Sequence, residues 1–392
     1  MKLLVLTFYY PPDLSAGSFR IKSIIDALSK YNIDIHVIST LPNRYASFSA
    51  EAPDKESYNN LTVERVALPP HASGMLDQAK AFFTYYRAVK KRISDGDYDA
   101  VFSTSSRLFT AFLGARIARS KNIPLYLDIR DIFVDTLNDV LPSRLGRLAL
   151  PVFKIIERYT FNTAKRINLV SPGFDEYFKS RYPDIKYRWF TNGIDDEFLN
   201  VSLPTNPRGS KSERVKILYA GNIGEGQGLH TIIPDLAKRL SQVADFQIIG
   251  AGGRQRELAL ESDSLENVTL LPPMKRKELI ESYMKADVLF LHLNDYEAFK
   301  KVLPSKIFEY AALGKPILAG VGGYAEQFLR ENVKNCQVFE PGNATKAAES
   351  FDKLELSLAP RDRFVEKYAR KRIMKEMAQD IFDFMNENQK YD

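Results

Sequence analysis

The segment Leu303-Pro304-Ser305-Lys306-Ile307-Phe308-Glu309-Tyr310 carries the most specific chemistry in this 392-residue chain. Lys306 and Glu309 stand three residues apart, so on a helix they share one face near its start. Ser305 is placed to cap that helix after Pro304. Gly314 is placed to end it and Pro316 to open the next strand. A lysine at a helix N-terminus suits a diphosphate. A carboxylate one turn on suits paired hydroxyls, such as those of a ribose. The ordinary alternative is a solvated Lys–Glu pair contributing about 0.3 kcal/mol.

Four loops could serve the same chemistry. Gly221-Asn222-Ile223-Gly224-Glu225-Gly226-Gln227-Gly228 has four glycines in eight residues, so its backbone must pass close to something. It lacks the Gly-Lys-Ser/Thr ending of a P-loop and suits the phosphate side. Gly250-Ala251-Gly252-Gly253 matches only part of a dinucleotide fingerprint, because the third glycine position is Gln255. It reads as a helix N-terminus facing the cleft. The small residues of Pro11–Ser18, Gly17 among them, precede a helix whose first turn carries Arg20 as an added positive charge. Arg130 and Asp131 end a strand, either over a ligand or as a local ion pair.

Other chemistries find no support. His36, His71, His230 and His292 have no metal-ligand spacing. Asp95-Gly96-Asp97 reads as a surface turn. No Gly-x-Ser-x-Gly elbow is present.

The elements that must position these loops alternate as β and α. Strand-like runs are Leu3–Phe8, Ile35–Ser39, Ala100–Ser103, Leu125–Ile129 and Ile167–Val170. After the Pro/Ser/Lys-rich stretch Ser202–Arg214 come Val215–Ala220, Phe246–Ile249, Val268–Leu271, Val288–Leu291 and Pro316–Ala319. Arg361–Met385 reads as a long C-terminal helical region. The pattern predicts an α/β chain of two doubly wound parallel-sheet domains facing a central cleft, with ligands at the carboxyl ends of the strands.

Composition agrees with two ordinary globular domains. Hydrophobic residues make up 45% and charged residues 27%, which excludes disorder. The single cysteine, Cys336, excludes a disulfide framework. No apolar run reaches the ~18 residues of a membrane span. Met1–Leu6 runs straight into a strand pattern without a small-residue cleavage site, so no signal peptide is expected. The expectation is a cytoplasmic chain, with peripheral contact at the inner face of the plasma membrane. Five of the six net positive charges fall in residues 1–200. That bias suits an anionic partner, nucleic acid or a lipid face, but the interleaved motifs of nucleic-acid modules are missing. Leu76–Ile93 and Leu141–Arg166 are basic amphipathic segments that suit lipid, or simply pack on the sheet.

The ordered set of motifs resembles the retaining glycosyltransferases of family 4, which have the GT-B fold. The resemblance rests on Tyr9-Tyr10-Pro11-Pro12 with Ser15–Ser18, Asn192-Gly193-Ile194-Asp195, Tyr219-Ala220-Gly221-Asn222, and Pro304–Tyr310 with Gly314-Lys315-Pro316. Leu41-Pro42-Asn43-Arg44-Tyr45 and Arg130-Asp131 resemble the bacterial surface-polysaccharide branch, which includes O-antigen and capsule transferases of N-acetylated amino sugars.

This resemblance implies an acceptor domain over 1–200, joined by a C-terminal helix from about 376 to 392, and a nucleotide-sugar domain over 201–375. It implies a UDP-sugar donor, a lipid-linked or oligosaccharide acceptor such as an undecaprenyl-diphosphate glycan, and neither metal nor further cofactor. Glu309 would hold the ribose, and Ser305 and Lys306 would meet the diphosphate. Gly221, Gly224 and Gly250 would shape the donor loops, and Met274 would lie beside the base. Leu303, Gly17 and Arg20 complete the implied donor contacts. Arg130, Asp131 and Lys306 are the implied catalytic groups. Three positions depart from the pattern. Lys301 stands where a donor-sugar Glu is usual, and Asn222 and Gln227 where an Arg and a Lys are usual. These departures leave open a second reading, a non-catalytic sugar-nucleotide or glycan-binding protein.

Overall fold

The computed structural model describes residues 1–13, 15–42, 51–69, 75–105, 108–132, 134, 144–199, 201 and 214–389. Asn43-Arg44-Tyr45, His71, the stretch from Ser202 to Glu213 and the side chains of Arg144 and Arg147 lie outside the described residues. The chain divides into two compact units, Met1–Asn192 with Arg370–Asp392, and Gly193–Ala369.

Unit 1 holds an eight-stranded sheet. Its strands are β1 Lys2–Leu6, β2 Asp34–Thr40, β3 Lys55–Tyr58, β4 Leu61–Val66, β5 Ala100–Thr104, β6 Leu125–Ile129, β7 Arg166–Leu169 and β8 Lys186–Arg188. They lie in the order β3-β4-β2-β1-β5-β6-β7-β8. All neighbours are parallel except the edge hairpin β3–β4. The helices are α1 Ala16–Leu28, α2 Met75–Arg92, α3 Leu108–Lys121, α4 Arg144–Thr163 and α5 Asp175–Arg181. Leu3–Leu6, Ala100–Thr104 and Leu125–Ile129 are buried throughout, as strands covered on both faces must be. The sheet order reverses between β1 and β5, the place where open α/β sheets take ligands at the strands' carboxyl ends. β3 escaped the sequence reading because Lys55-Glu56-Ser57-Tyr58 is a polar edge strand with no burial to enforce an apolar pattern.

Unit 2 holds six parallel strands: β9 Val215–Asn222, β10 Ala244–Ala251, β11 Val268–Leu271, β12 Val288–His292, β13 Ile317–Gly320 and β14 Cys336–Phe339. Their order is β11-β10-β9-β12-β13-β14. The helices are α6 Asp196–Leu199, α7 Leu229–Arg239, α8 Gln255–Ser262, α9 Arg276–Lys285, α10 Lys306–Ala312, α11 Gly323–Asn332, α12 Ala344–Phe351 and α13 Asp362–Tyr368. Period-2 alternation along β9 sends Leu218 and Ala220 to one core with Ile307 and Phe308 of α10. It sends Ile217 and Tyr219 to the other, with Ile232 and Leu236 of α7.

The expected unit boundaries at 200 and 375 shift to 192 and 369. Ile194 is fully buried in the unit 2 core, and its N–H donates to the Tyr368 carbonyl at 2.8 Å. The expected long C-terminal helix is interrupted at Ala369, whose ψ of 122° is extended. It resumes as α14, Arg370–Glu387, on unit 1. There the Tyr31 and Tyr126 hydroxyls donate to Gln379 at 3.0 Å and Asp380 at 2.9 Å. Arg166 and Arg188 reach the same Asp380 carboxylate at 3.0 and 2.7 Å.

Candidate functional site

Lys306 is the first residue of α10, and unit 2 brings it against the loop that follows β9. A Cβ on Gly221 would collide with the Lys306 ammonium, so glycine there makes room for the lysine. The ammonium lies 5.5 Å from the centre of the Tyr219 ring. Among the described residues it has no hydrogen-bond acceptor. Burial pulls its pKa down, Glu309 opposes that shift, and Arg276 adds to it. An ammonium with free N–H donors at a glycine loop is equipped to receive an oxyanion. Gly314, at φ 68°, ends the helix as its position in the sequence indicates.

Ser305 does not cap α10 with its side chain. Its own backbone is already helical (φ −60°, ψ −28°), whereas a capping hydroxyl needs the extended region. Leu303 is only 2% exposed and its side chain belongs to the core, so only its backbone is available to a ligand. Met274 is half-buried against the same core, with the Ser282 hydroxyl donating to its sulfur at 3.7 Å.

Glu309 is not a lone carboxylate. Its Oε1 accepts from Arg276 Nη1 at 3.0 Å, and Arg276 Nη2 donates to Asp195 Oδ2 at 2.5 Å. The Arg276 guanidinium also lies 4.5 Å from the centre of the Phe198 ring. The sequence reading missed Arg276, which sits in the run Lys275-Arg276-Lys277 and looks like solvated charge. The signal was the pair of carboxylates, Asp195 and Glu309, each in a segment rich in buried residues and so in need of a cation.

In the glycine loop, Asn222 Nδ2 donates to Gln227 Oε1 at 2.7 Å, so the two neutral residues bind each other. Buried Gly224 lies beneath the Asn222 amide. Glu225 accepts from the Tyr296 hydroxyl and from Arg254, both at 2.6 Å, and these bonds hold its carboxyl below the usual range. His292 is buried behind the loop. The Gly342 N–H donates to its Nε2 at 2.9 Å, so the ring proton is on Nδ1 and donates to the Gln227 carbonyl at 2.7 Å. Burial depresses this imidazole to about 4. Lys301 closes a short 3₁₀ turn, Phe299–Lys301, beside the exposed Lys300–Glu297 pair.

The loop after β10 does not present a free helix start. The Arg254 N–H donates to the Ile223 carbonyl at 2.9 Å, and a Cβ on Gly250 would strike the Gly221 carbonyl. Its glycines let two backbones meet.

In unit 1, Ser15 caps α1 by accepting from the Ser18 N–H at 3.1 Å, which places Gly17 in the first turn. Arg20 was expected to face a phosphate, and it does not. It is fully buried on the inward face of α1 with Ile21 and Ile24. Its Nε and Nη2 each donate to Asp128 at 2.9 Å, and the rest of the fork meets the Thr191 and Phe190 carbonyls at 2.6 and 2.8 Å. Asn168 adds a bond to Asp128 at 2.8 Å. A carboxylate inside a buried strand requires such a cation, and that requirement fixes where Arg20 goes. Arg130 differs. Its backbone N–H donates to Ser105 Oγ at 2.8 Å, but its Nη1 is buried with no hydrogen-bond partner. Burial, then the neighbouring Arg20, pushes its pKa down to about 10. Asp131 is exposed just past the strand end.

Two parallel-sheet α/β units in series are the GT-B fold, and solved structures of that fold align over nearly the whole chain. Sucrose-phosphate synthase from Thermosynechococcus elongatus aligns at TM-score 0.78 with 13% identity, covering 98% of this chain and 99% of the other. Anabaena HepE in complex with UDP-glucose aligns at 0.70 with 16% identity, covering 98% and 100%. WaaG, a glycosyltransferase involved in lipopolysaccharide biosynthesis, aligns at 0.65 with 16% identity, covering 97% and 95%. Residues 18–193 match the glycosyl transferase 4-like domain, and residues 205–372 match the glycosyl transferases group 1 family. The two matches, one to each unit, and the fold together support a GT-B glycosyltransferase. A curated relative from Escherichia coli, described as the colanic acid biosynthesis glycosyl transferase WcaI, is 30% identical over 112 residues. That match spans 28% of this chain and about a quarter, 27%, of the relative.

Proposed function

We propose that the protein transfers a sugar from a UDP-linked donor to a lipid-linked or oligosaccharide acceptor in bacterial surface-polysaccharide biosynthesis. The sugar is an N-acetylated amino or deoxyamino sugar, transferred with retention and without a metal. The observation that carries this reading is the Lys306 ammonium, unpaired at the Gly221 loop and one turn from Glu309. Departure of a nucleoside diphosphate builds negative charge as the sugar approaches an oxocarbenium ion. An ammonium already in place stabilises that charge without reorganising. In front-face attack the leaving phosphate takes the acceptor's proton, so the chain needs no strong base of its own. On unit 1, Asp131 is the carboxylate proposed to orient the acceptor hydroxyl. The UDP and UDP-glucose complexes of HepE, and the polysaccharide roles of WcaI and WaaG, support this class of donor and acceptor.

Contact with an anionic inner-leaflet surface belongs to the same proposal. No described helix is long and apolar enough to cross a membrane. Tyr85 and Val89 of α2 pack inward, but Phe83, Val152 and Ile155 on α2 and α4 are 60%, 56% and 69% exposed. Exposed Lys80, Arg87, Lys90, Lys91, Lys154 and Arg158 surround them. Arg166 contributes nothing to this face, being 1% exposed and paired with Asp380 and Glu387.

The mutual Asn222–Gln227 bond and Lys301 favour the second reading, a binding protein without turnover. Incubating the protein with a panel of nucleotide sugars and a lipid-linked glycan extract, with mass spectrometry of the products, tests both. A mass increment of one sugar is expected. Nucleotide binding with no product under any donor would establish the second reading.

A further inference from the structure

We infer that Arg276 and Asp195 are positioning residues that fix the Glu309 carboxylate for a ribose diol. The inference rests on the reading of Glu309 as the ribose contact. A glutamate alone is a poor template for a diol, because its terminal torsion is broad and its two oxygens interchange. Here one oxygen, Oε1, is held by Arg276 Nη1 at 3.0 Å. The guanidinium is a rigid planar fork, so fixing its other arm fixes this one. Asp195 Oδ2 holds that arm at 2.5 Å, and the Phe198 ring supports one face of the fork. The three side chains are 12%, 19% and 14% exposed in the order Asp195, Arg276, Glu309, so solvent loosens them little.

Three segments of unit 2 meet at this point: the residue before α6, the first residue of α9, and the first turn of α10. The fold does not need the triad to seat α10. Ile307, Phe308, Tyr310 and Ala311 are already fully buried on the helix's other face.

Binding of UDP, ADP and GDP, each compared with its 2′-deoxy form, tests the inference by calorimetry on the full chain. The ribose is common to all three, so each pair reads the same contact. In the unaltered protein the best-bound ribonucleotide is expected to bind about 10-fold tighter than its deoxy form, as loss of a hydrogen bond to a charged group implies. Arg276→Gln should reduce that ratio to about 2 or below, leaving the affinity for inorganic pyrophosphate unchanged, and Arg276→Lys should recover part of it. Asp195→Asn, which leaves the Arg276–Glu309 bond in place, should reduce the ratio about 3-fold and serves if Arg276→Gln does not fold. An unreduced ratio in the variants overturns the positioning role. So does an equal loss of pyrophosphate affinity, which would mark a merely structural role. If the unaltered protein does not discriminate ribose from deoxyribose, the Glu309 reading fails first, and this inference with it.

Discussion

Replacing Lys306 with methionine is expected to stabilise the unliganded protein and to abolish nucleotide binding. Methionine keeps the length and volume of the side chain and removes the charge. The ammonium is partly buried and has no acceptor among the described residues, a situation that costs about 2 kcal/mol for a charged donor. Against this, methionine forfeits the contact over Tyr219 at 5.5 Å, worth about 0.5–1 kcal/mol. The net is a gain of about 1 kcal/mol. In a unit of 177 residues that gain raises Tm by about 3 °C. Thermal melts of both proteins with and without UDP read both effects together. The unaltered protein should melt lower alone and shift upward with UDP. Lys306→Met should melt higher alone and shift little or not at all. A variant that melts several degrees lower and still responds to UDP would refute the argument, since the lysine would then be part of the scaffold rather than an unpaired site group.

Asp128→Asn should destabilise unit 1 by about 3 kcal/mol in urea unfolding, because it leaves the Arg20 guanidinium buried without its counter-ion. The double variant Arg20→Met, Asp128→Leu should recover most of that loss, and a cost below 1 kcal/mol for Asp128→Asn would contradict the assignment. His292 is held neutral, about 4 against an ordinary 6.5. The unfolded chain therefore takes up its proton first as pH falls. The stability from this group is complete above pH 6.5 and is lost between 6.5 and 4, to about 3 kcal/mol. Comparing unfolding of the unaltered protein and His292→Gln across that window isolates the effect, and parallel pH profiles would disprove it. Phe83→Asp combined with Ile155→Asp should reduce co-sedimentation with phosphatidylglycerol-containing vesicles at least fivefold. Equal binding to pure phosphatidylcholine would argue against a charged lipid surface.

How far the molecule could be read from its residues depends on what each residue's surroundings demand. The central strands were legible because burial on both faces forces continuous apolar runs such as Leu3-Leu4-Val5-Leu6. β3, β8 and β14 were not, since edge strands are free of that demand, and neither was β4, whose Leu61-Thr62-Val63-Glu64-Arg65-Val66 mixes charged with apolar residues beside the edge. Lys306, Glu309 and the Gly221 loop were legible as chemistry because helix-start and glycine rules are local. What those rules cannot supply is the partner contributed from far along the chain. Asp128 claims Arg20 across 108 residues, and Arg276 claims both Asp195 and Glu309. The segment Gly250-Ala251-Gly252-Gly253 was read as a helix N-terminus facing the cleft, whereas the Ile223 carbonyl stands where a Cβ on Gly252 would be.

The path of α14 bears on how the chain is made. Residues 193–369 form a continuous unit that can close as soon as they emerge from the ribosome. Unit 1 cannot. Arg166 lies at the start of β7 with 1% of its side chain exposed, and the Asp380 carboxylate that neutralises it is synthesised more than two hundred residues later. Until then the sheet carries a charge it cannot bury. The half begun first is therefore completed last.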